Sequence, residues 1–129
     1  MLISSDLLLL LTIGTVYTAT GDLDAAQKRY LRLHETYPDD PTYAYKVGTT
    51  YKNLRDYNQA YTYLKKAEQE DFKHLDQVYK QLGDVALELK RYEESEEYFR
   101  KAKAVNPKLS DASKGGQASQ VAKKLEEVN

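Results

Sequence analysis

Apolar and small residues recur along this chain with the spacing of an α-helix. In the second half of the chain, two successive segments each place four such residues on one side of a helix. They are Tyr79, Leu82, Gly83 and Ala86 in the first segment, and Tyr92, Ser95, Phe99 and Ala102 in the second. The polar turn 89–91 between the segments is short enough to allow only an antiparallel pair. The pattern therefore predicts a helical hairpin.

The hairpin pattern occurs three times. Its anchors are Gly14, Gly48 and Gly83, which lie 34 and 35 residues apart. Twelve residues after each glycine comes a small residue, and four residues later comes a large one. The small residues are Ala26, Ala60 and Ser95, and the large ones are Tyr30, Leu64 and Phe99. A fixed period of this length indicates a repeat protein.

The anchoring glycines predict close contact between the two helices of each hairpin. Glycine inside a helix costs about 1 kcal/mol relative to alanine, so three helices that accept it need a packing reason. We expect each glycine to face the small residue of its own hairpin. Gly83→Leu would overpack this contact and cost roughly 1 to 3 kcal/mol or more.

At these spacings, a set of residues resembles the tetratricopeptide-repeat signature: Leu82-Gly83, Tyr51, Ala60, Leu64, Ala67 and Pro107. The resemblance covers about residues 7–109. It implies an all-α fold, an α-α superhelix (a right-handed solenoid) of three helix-turn-helix repeats. We assign these repeats to 7–40, 41–74 and 76–109 within one domain, 1–129. Leu10, Ala44 and Tyr79 stand where the family often has Trp, and Phe72 replaces a terminal Pro.

The C-terminal segment resembles the first helix of a degenerate fourth repeat. Ala112, Gly115, Gly116 and Ser119 fall where Tyr79, Leu82, Gly83 and Ala86 fall one repeat earlier. We predict a capping helix over about 111–128, because repeat stacks need a terminal element with a polar outer side. An apolar face is formed by Ala118, Val121, Leu125 and Val128. The alternative is a helix that begins only after a break at Gly115-Gly116.

Composition limits the classes of function. The 129 residues include 19 basic and 20 acidic side chains, for a formal net charge of -1. This balance gives no field that attracts phosphate backbones, so we expect no nucleic-acid partner. The chain has no Cys, no phosphate-binding glycine loop and no nucleophile beside a base. We therefore predict neither an enzyme nor a cofactor.

The two histidines, His34 and His74, are the residues that most invite a metal or acid-base interpretation. Glu35, Asp71 and Asp76 lie near them in sequence. A metal site or an acid-base pair needs convergent ligands, which this spacing does not supply. We interpret both histidines as polar turn residues and predict no metal site.

The resemblance implies a concave groove lined by the first helices, which takes an extended peptide or a helix of a partner protein. The positions that would line it are Leu8, Leu11, Thr15, Thr42, Tyr45, Thr49, Lys52, Asn53, Gln77, Lys80, Asp84 and Glu88. This lining is apolar at one end and mixed in charge at the other. A partner segment with a hydrophobic anchor followed by polar groups fits best. The predicted function is a protein–protein interaction module: an adaptor, scaffold or assembly chaperone.

One branch of the family, the chaperone cofactors, clamps a C-terminal carboxylate with Lys, Asn, Asn, Lys and Arg. The corresponding positions here are Leu11, Thr15, Lys46, Gln77 and Gln81. Only Lys46 is cationic, so the donors that would hold two carboxylates are missing. The sequence therefore does not predict binding of Hsp70 or Hsp90 tails by that mechanism.

The N-terminal leucines leave a second function open. Leu7, Leu8, Leu9, Leu10 and Leu11 put apolar side chains nearly all around a predicted end helix, so some of that surface must be covered. Self-association as a homodimer is the alternative to peptide binding. Two other coverings are possible: residues 1–3 could fold back over the leucines, or a preceding repeat could cover them if the chain is a fragment of a longer array. The run is too short for a membrane span and lacks preceding basic residues, so we expect neither a membrane anchor nor a secretory signal. A cytoplasmic location is expected only because it is the commonest case for such a chain.

Overall fold

The structure is a computed structural model that describes residues 21–128. Within that range it contains helices and no strand, as predicted. The helices are α1 (Leu23–Thr36), α2 (Pro41–Asn53), α3 (Tyr57–Lys66), α4 (Leu75–Glu88), α5 (Tyr92–Val105) and α6 (Ser110–Val128). They form two compact units, which meet in sequence at Ala67 and Glu68. The first unit holds α1 to α3, and the second holds α4 to α6.

Aspartate caps begin all three helices of the first unit. The Asp22 carboxylate accepts from the Ala25 N–H, Asp40 accepts from Thr42, and Asp56 accepts from Gln59. Each bond satisfies a backbone donor that has no partner inside the helix, which typically stabilises a helix by about 1 kcal/mol. His74 and Arg91 cap α4 and α5 without a side-chain hydrogen bond. The start sites in the first unit are therefore fixed by local sequence.

The turns inside the repeats share one backbone conformation. Gly21, Arg55 and Lys90 stand at equivalent places in the period, and their φ angles are 82°, 64° and 61°. In the second and third turns, the next residue donates its N–H five residues back, Asp56 to Tyr51 and Arg91 to Ala86. A left-handed residue at the helix end closes each turn tightly. The repeat seen in the sequence is thus also a repeat of backbone geometry.

In the first unit, α2 packs against both α1 and α3. The core consists of Ala26, Tyr30, Leu33, Tyr43 and Val47, all buried. Beside it, the ring of Tyr51 stacks on Tyr63, and the Tyr51 hydroxyl accepts from the Gln27 amide. Tyr43 belongs to this core, because only 8% of its surface is exposed.

Phe99 is the centre of the second unit, in which α5 packs against α4 and α6. A Cβ on Gly83 would lie 2.7 Å from Phe99 Cε1, and a Cβ on Gly115 would lie 2.5 Å from the same atom. The ring thus packs against both glycines. The Ser95 hydroxyl donates to the Gly83 carbonyl at 2.7 Å. Gly83 and Ser95 thus come close together as predicted, but the space of the missing Gly83 Cβ is filled by Phe99 and not by Ser95.

The capping helix is a single helix. Gly115 and Gly116 lie inside α6, so the alternative of a break at this pair is wrong. The helix continues because its glycines take part in packing: Ala112 and Ser119 on the same side are buried. The Ser119 and Ser95 hydroxyls lie 2.6 Å apart. On the other side Val121, Leu125 and Val128 are 57%, 60% and 84% exposed.

His34 corrects one sequence prediction. It is not a turn residue, because α1 continues to Thr36, and only 7% of its surface is exposed. It continues the buried side made by Ala26, Tyr30 and Leu33, and its ring meets Tyr63 edge-on at 5.5 Å. His74 is exposed at the start of α4, as predicted. Among the described helices, none is long and apolar enough to cross a membrane.

Candidate functional site

The predicted groove residues divide into three groups. Leu8, Leu11 and Thr15 lie outside the described residues, as does the rest of the predicted self-association segment, Leu7, Leu9 and Leu10. A second group, from Thr42 to Asn53, lies on α2 in the first unit. The third, from Gln77 to Glu88, lies on α4 in the second unit. The two described groups are considered separately.

Three of the α2 residues line one cavity. Tyr45, Thr49 and Asn53 follow one another at intervals of four residues, which places them along one side of the helix. With them the cavity is lined by Tyr30 from α1 and by Lys46 and Thr50 from α2. Its volume is about 120 Å³, which corresponds to about four water molecules. The structure therefore brings together part of the predicted groove lining.

The chemistry of this cavity is apolar at its walls and polar at a few points. The Thr49 and Thr50 hydroxyls donate to the Tyr45 and Lys46 carbonyls at 2.9 and 2.7 Å, so their hydrogens are used within α2. The Lys46 ammonium lies 5.4 Å from the centre of the Tyr30 ring, in cation–π contact. Lys46 is therefore held at the cavity by an aromatic face.

Asn53 supplies the second donor at the cavity. Its amide has no hydrogen-bond partner in the described part of the chain. An amide can donate two hydrogen bonds and accept two, and a lysine ammonium can donate three. The cavity can thus hold an apolar group between tyrosine rings while donating hydrogen bonds to a neighbouring carbonyl or carboxylate.

The other two predicted residues of α2 lie outside this cavity. Thr42 is in the first turn, where its N–H donates to the Asp40 carboxylate at 2.9 Å. Lys52 is half-buried near the end of the helix. Neither is among the lining residues, so the structure does not join all five α2 positions into one site.

The α4 group shows the mixed charge that the sequence predicted. The Lys80 ammonium lies 3.6 Å from the Asp84 carboxylate, four residues later on the helix. Gln77 is half-buried, and Glu88 is exposed at the end of α4. Because Lys80 and Asp84 offset each other, this face presents polar groups with little net attraction for either sign of charge.

The carboxylate-clamp positions differ in environment. Lys46 lines the α2 cavity, whereas Gln81 is buried with 8% of its surface exposed. A buried glutamine in the packed face of α4 is poorly placed to reach a bound carboxylate. Leu11 and Thr15 lie outside the described residues. The described positions thus offer one cation where the clamp needs several donors.

Two further tyrosines of the first unit, Tyr43 and Tyr51, stay neutral well above physiological pH. Burial is the main reason why the pKa of Tyr43 is raised, with the Asp40 carboxylate adding to it. Burial likewise raises the pKa of Tyr51, although the Gln27 hydrogen bond opposes the shift. The side chains of this unit therefore supply uncharged aromatic surface. Within residues 21–128, no group of three or more acidic, His or Cys side chains could hold a metal ion.

Sequence reasoning missed half of the cavity lining. Tyr30 belongs to the preceding repeat, and it reaches the cavity only because α1 packs against α2. Lys46 and Thr50 each follow a predicted groove residue and lie at the edge of the same face. The family resemblance singled out Lys46 only as a clamp position. Tyr30 could not be found without knowing which helices are neighbours.

Comparison with known proteins places this geometry in a family. The family model described as "Anaphase-promoting complex, cyclosome, subunit 3" matches residues 16–102. No curated protein sequence matches the chain significantly. Solved structures do match, at low sequence identity and high structural similarity.

The first tetratricopeptide domain of human RPAP3 is 19% identical, with a TM-score of 0.84, and 95% of each chain is covered. The first such domain of Spaghetti (RPAP3), bound to the HSP90 peptide SRMEEVD, is 19% identical with a TM-score of 0.82, covering 89% of this chain and 90% of that one. The second tetratricopeptide domain of human RPAP3, in complex with the HSP70 peptide SGPTIEEVD, is 14% identical with a TM-score of 0.79. The match covers 86% of this chain and 92% of that one.

These matches show an all-α helical repeat solenoid, the fold that the glycine-anchored repeats predicted. The family match spans more than half of the chain and includes all of α1 to α4. The chain therefore belongs to the tetratricopeptide-repeat family, through the family described as anaphase-promoting complex, cyclosome, subunit 3.

Proposed function

We propose that the chain is a protein-interaction module that binds a peptide or helix of a partner protein, with the α2 cavity as an anchor point. The observation that supports this most directly is the cavity between Tyr30 and Tyr45, where three predicted groove residues meet. Relatives of the same fold have been solved with bound peptides. Adaptor, scaffold and assembly-chaperone roles all use such a site.

The cavity favours a segment with one apolar side chain flanked by hydrogen-bond acceptors. The apolar group would displace water from the cavity beside the two tyrosines. This burial is favourable by roughly 25 cal/mol for every Å² of apolar surface removed from water. Asn53 and Lys46 would donate to backbone carbonyls or to a carboxylate next to it. Truncation of a tyrosine such as Tyr45 at a binding hot spot typically costs about 2 kcal/mol or more.

The test uses the full chain and a peptide selected against it from a random displayed library. Tyr45→Ala should weaken the binding of that peptide by a factor of about 30, the equivalent of about 2 kcal/mol. Tyr61→Ala is the matched control, because Tyr61 is also a half-buried tyrosine but lies on α3 away from the cavity. Calorimetric titration gives both dissociation constants.

A loss of affinity confined to Tyr45→Ala supports the site. Equal affinity for wild type and Tyr45→Ala contradicts it, and so does an equal loss in the Tyr61→Ala control. Because the clamp donors are missing, we also expect SRMEEVD to bind at least tenfold more weakly than the selected peptide. Tight binding of SRMEEVD that Lys46→Ala abolishes would show that one cation suffices for the clamp.

A further inference from the structure

The outer side of α1 carries three cations on one face. Lys28, Arg29 and Arg32, together with Ala25, occupy positions i+3, i+4, i+7 and i of the helix, so their side chains project from the same side. They line a surface depression of about 360 Å³. We call these four residues the α1 basic face. The buried side of α1, which includes Ala26, Tyr30 and Leu33, points elsewhere.

Within the described residues, the cations of the α1 basic face have no side-chain partners. No acidic group, hydrogen bond or ring contact engages the side chains of Lys28, Arg29 or Arg32 in the described part of the chain. Several cations of the second unit do form ion pairs: Lys80 with Asp84, Lys90 with Glu126, and Lys123 with Glu93. Three adjacent cations repel one another, and among the described residues none of them forms an ion pair that would offset this repulsion. An acidic ligand would relieve that repulsion.

Ala25 shapes the depression. Its small side chain at the start of the face leaves room between the longer Lys28 and Arg29 stems. An arginine guanidinium binds a carboxylate through two parallel N–H donors, while lysine acts as a point charge. Two arginines and one lysine within one and a half helical turns therefore match two carboxylates about 6 Å apart, the rise of four helical residues.

The ends of α1 limit how long such a ligand can be. Asp24 and Glu35 lie before and after the three cations, and both are exposed. A nucleic-acid strand carries charge continuously along its length, so it would meet these carboxylates beyond either end of the face. A short acidic segment can place its charges between them. The net charge of -1 also gives no long-range attraction for a polyanion.

We propose that the α1 basic face is a second docking surface, which binds a short Asp- or Glu-rich segment of a partner protein. The surface is distinct from the α2 cavity, since the two share no lining residue. A second copy of this chain is a poor occupant through its most acidic stretch on α5. There Glu93 is bound to Lys123, Glu94 to Arg91, and Glu97 to Arg100.

The experiment measures fluorescence anisotropy of a labelled helical peptide whose Glu residues recur every four positions, at low and at physiological ionic strength. Arg29→Glu with Arg32→Glu should weaken its binding at least tenfold. The control is Lys114→Glu with Lys124→Glu, two exposed α6 lysines that give the same change of net charge. This control should change the affinity less than twofold. Circular dichroism checks that both variants keep their helices.

Three further measurements decide between ligands. A Gln-for-Glu version of the peptide should not bind, and a single-stranded oligonucleotide of equal charge should bind more weakly than the Glu peptide. Tyr45→Ala should leave binding of the Glu peptide unchanged, so that failure of the α2 site and failure of this one can be told apart. Equal losses in the α1 and α6 variants, or tighter binding of the oligonucleotide, would overturn the proposal.

Discussion

Two neighbouring glycines of α6 should respond in opposite ways to the same substitution. Gly115 faces the Phe99 ring, and a Cβ there would lie 2.5 Å from Cε1. Gly116 is one residue later, and its Cβ would lie 3.8 Å from the nearest Phe99 atom, an ordinary contact. Alanine in a helix interior is about 1 kcal/mol more favourable than glycine. Gly116→Ala should therefore stabilise the protein by about 1 kcal/mol.

At Gly115 the same gain is opposed by a clash. Nonbonded carbons are comfortable at about 3.5 to 4.0 Å, so the ring would have to move by about 1 Å. It cannot move easily toward α4, because Gly83 already lies against it there. Overpacking of this kind costs about 1 to 3 kcal/mol. The net expectation for Gly115→Ala is a loss of up to about 2 kcal/mol.

Urea unfolding followed by circular dichroism would give the order of stability, with Gly116→Ala above wild type and Gly115→Ala below it. Phe99→Leu supplies the second half of a double-mutant cycle, because a smaller side chain leaves room for the new methyl group. In that background Gly115→Ala should become stabilising. If Gly115→Ala is as stable as Gly116→Ala with Phe99 intact, the packing argument fails.

Two further predictions concern the first unit. Burial, assisted by the Lys66 ammonium and opposed by the Glu35 carboxylate, lowers the pKa of His34 from 6.5, and its Nδ1 has no hydrogen-bond partner in the described structure. The unfolded chain thus binds the proton more readily than the folded chain. The free energy of unfolding should therefore fall as pH drops below about 6.5 and level off below the lowered pKa, with a slope of at most about 1.4 kcal/mol per pH unit. His34→Phe should remove this pH dependence in urea titrations between pH 5 and 8. Arg55→Gly should stabilise by about 0.5 to 1 kcal/mol, because the left-handed φ of 64° strains any residue with a Cβ. Gly21→Ala should destabilise the protein for the same reason, because a methyl group there meets no other atom and is opposed only by the φ of 82°. Thermal unfolding should therefore show a raised midpoint for Arg55→Gly and a lowered midpoint for Gly21→Ala. Midpoint shifts of the same sign in both variants would contradict this argument.

The fold could be predicted from the sequence because small residues at fixed positions of each repeat mark where its two helices are in contact. Glycine inside a helix is costly, so its recurrence at one place in the period marks a contact even without coordinates. The residue that packs against each glycine could not be predicted as easily from the sequence. The missing Cβ of Gly48 points to Leu64, and that of Gly83 points to Phe99, the large residue four positions after the small one. Which residue packs against the glycine depends on the direction of the side chains along the helix, and sequence spacing alone does not give that direction.

His34 shows where local patterns mislead. Its position near the end of a repeat suggested a polar turn, yet it follows Leu33 on the buried side of α1. Because α1 continues for two residues beyond His34, to Thr36, this residue lies in the core and not in a turn. The lining of the α2 cavity was likewise not predictable from local patterns, because Tyr30 contributes to it only through the packing of α1 on α2. Sites built from two helices need the pairing of those helices as well as their faces.

The net charge of the chain conceals an uneven distribution, and this bears on how it recognises partners. The ion pairs of the second unit, such as Lys123 with Glu93 at 2.9 Å, are exposed and contribute little to stability. Their effect is to neutralise the surface of α5 and α6. Within residues 21–128, the cations of the α1 basic face form no such ion pairs, although the totals for the whole chain nearly cancel. Because screened charges act over about 8 to 10 Å, a partner responds to the local set and not to the total. An acidic segment would thus be drawn to α1, while an apolar segment with hydrogen-bond acceptors would fit α2, and the two surfaces select on different chemistry.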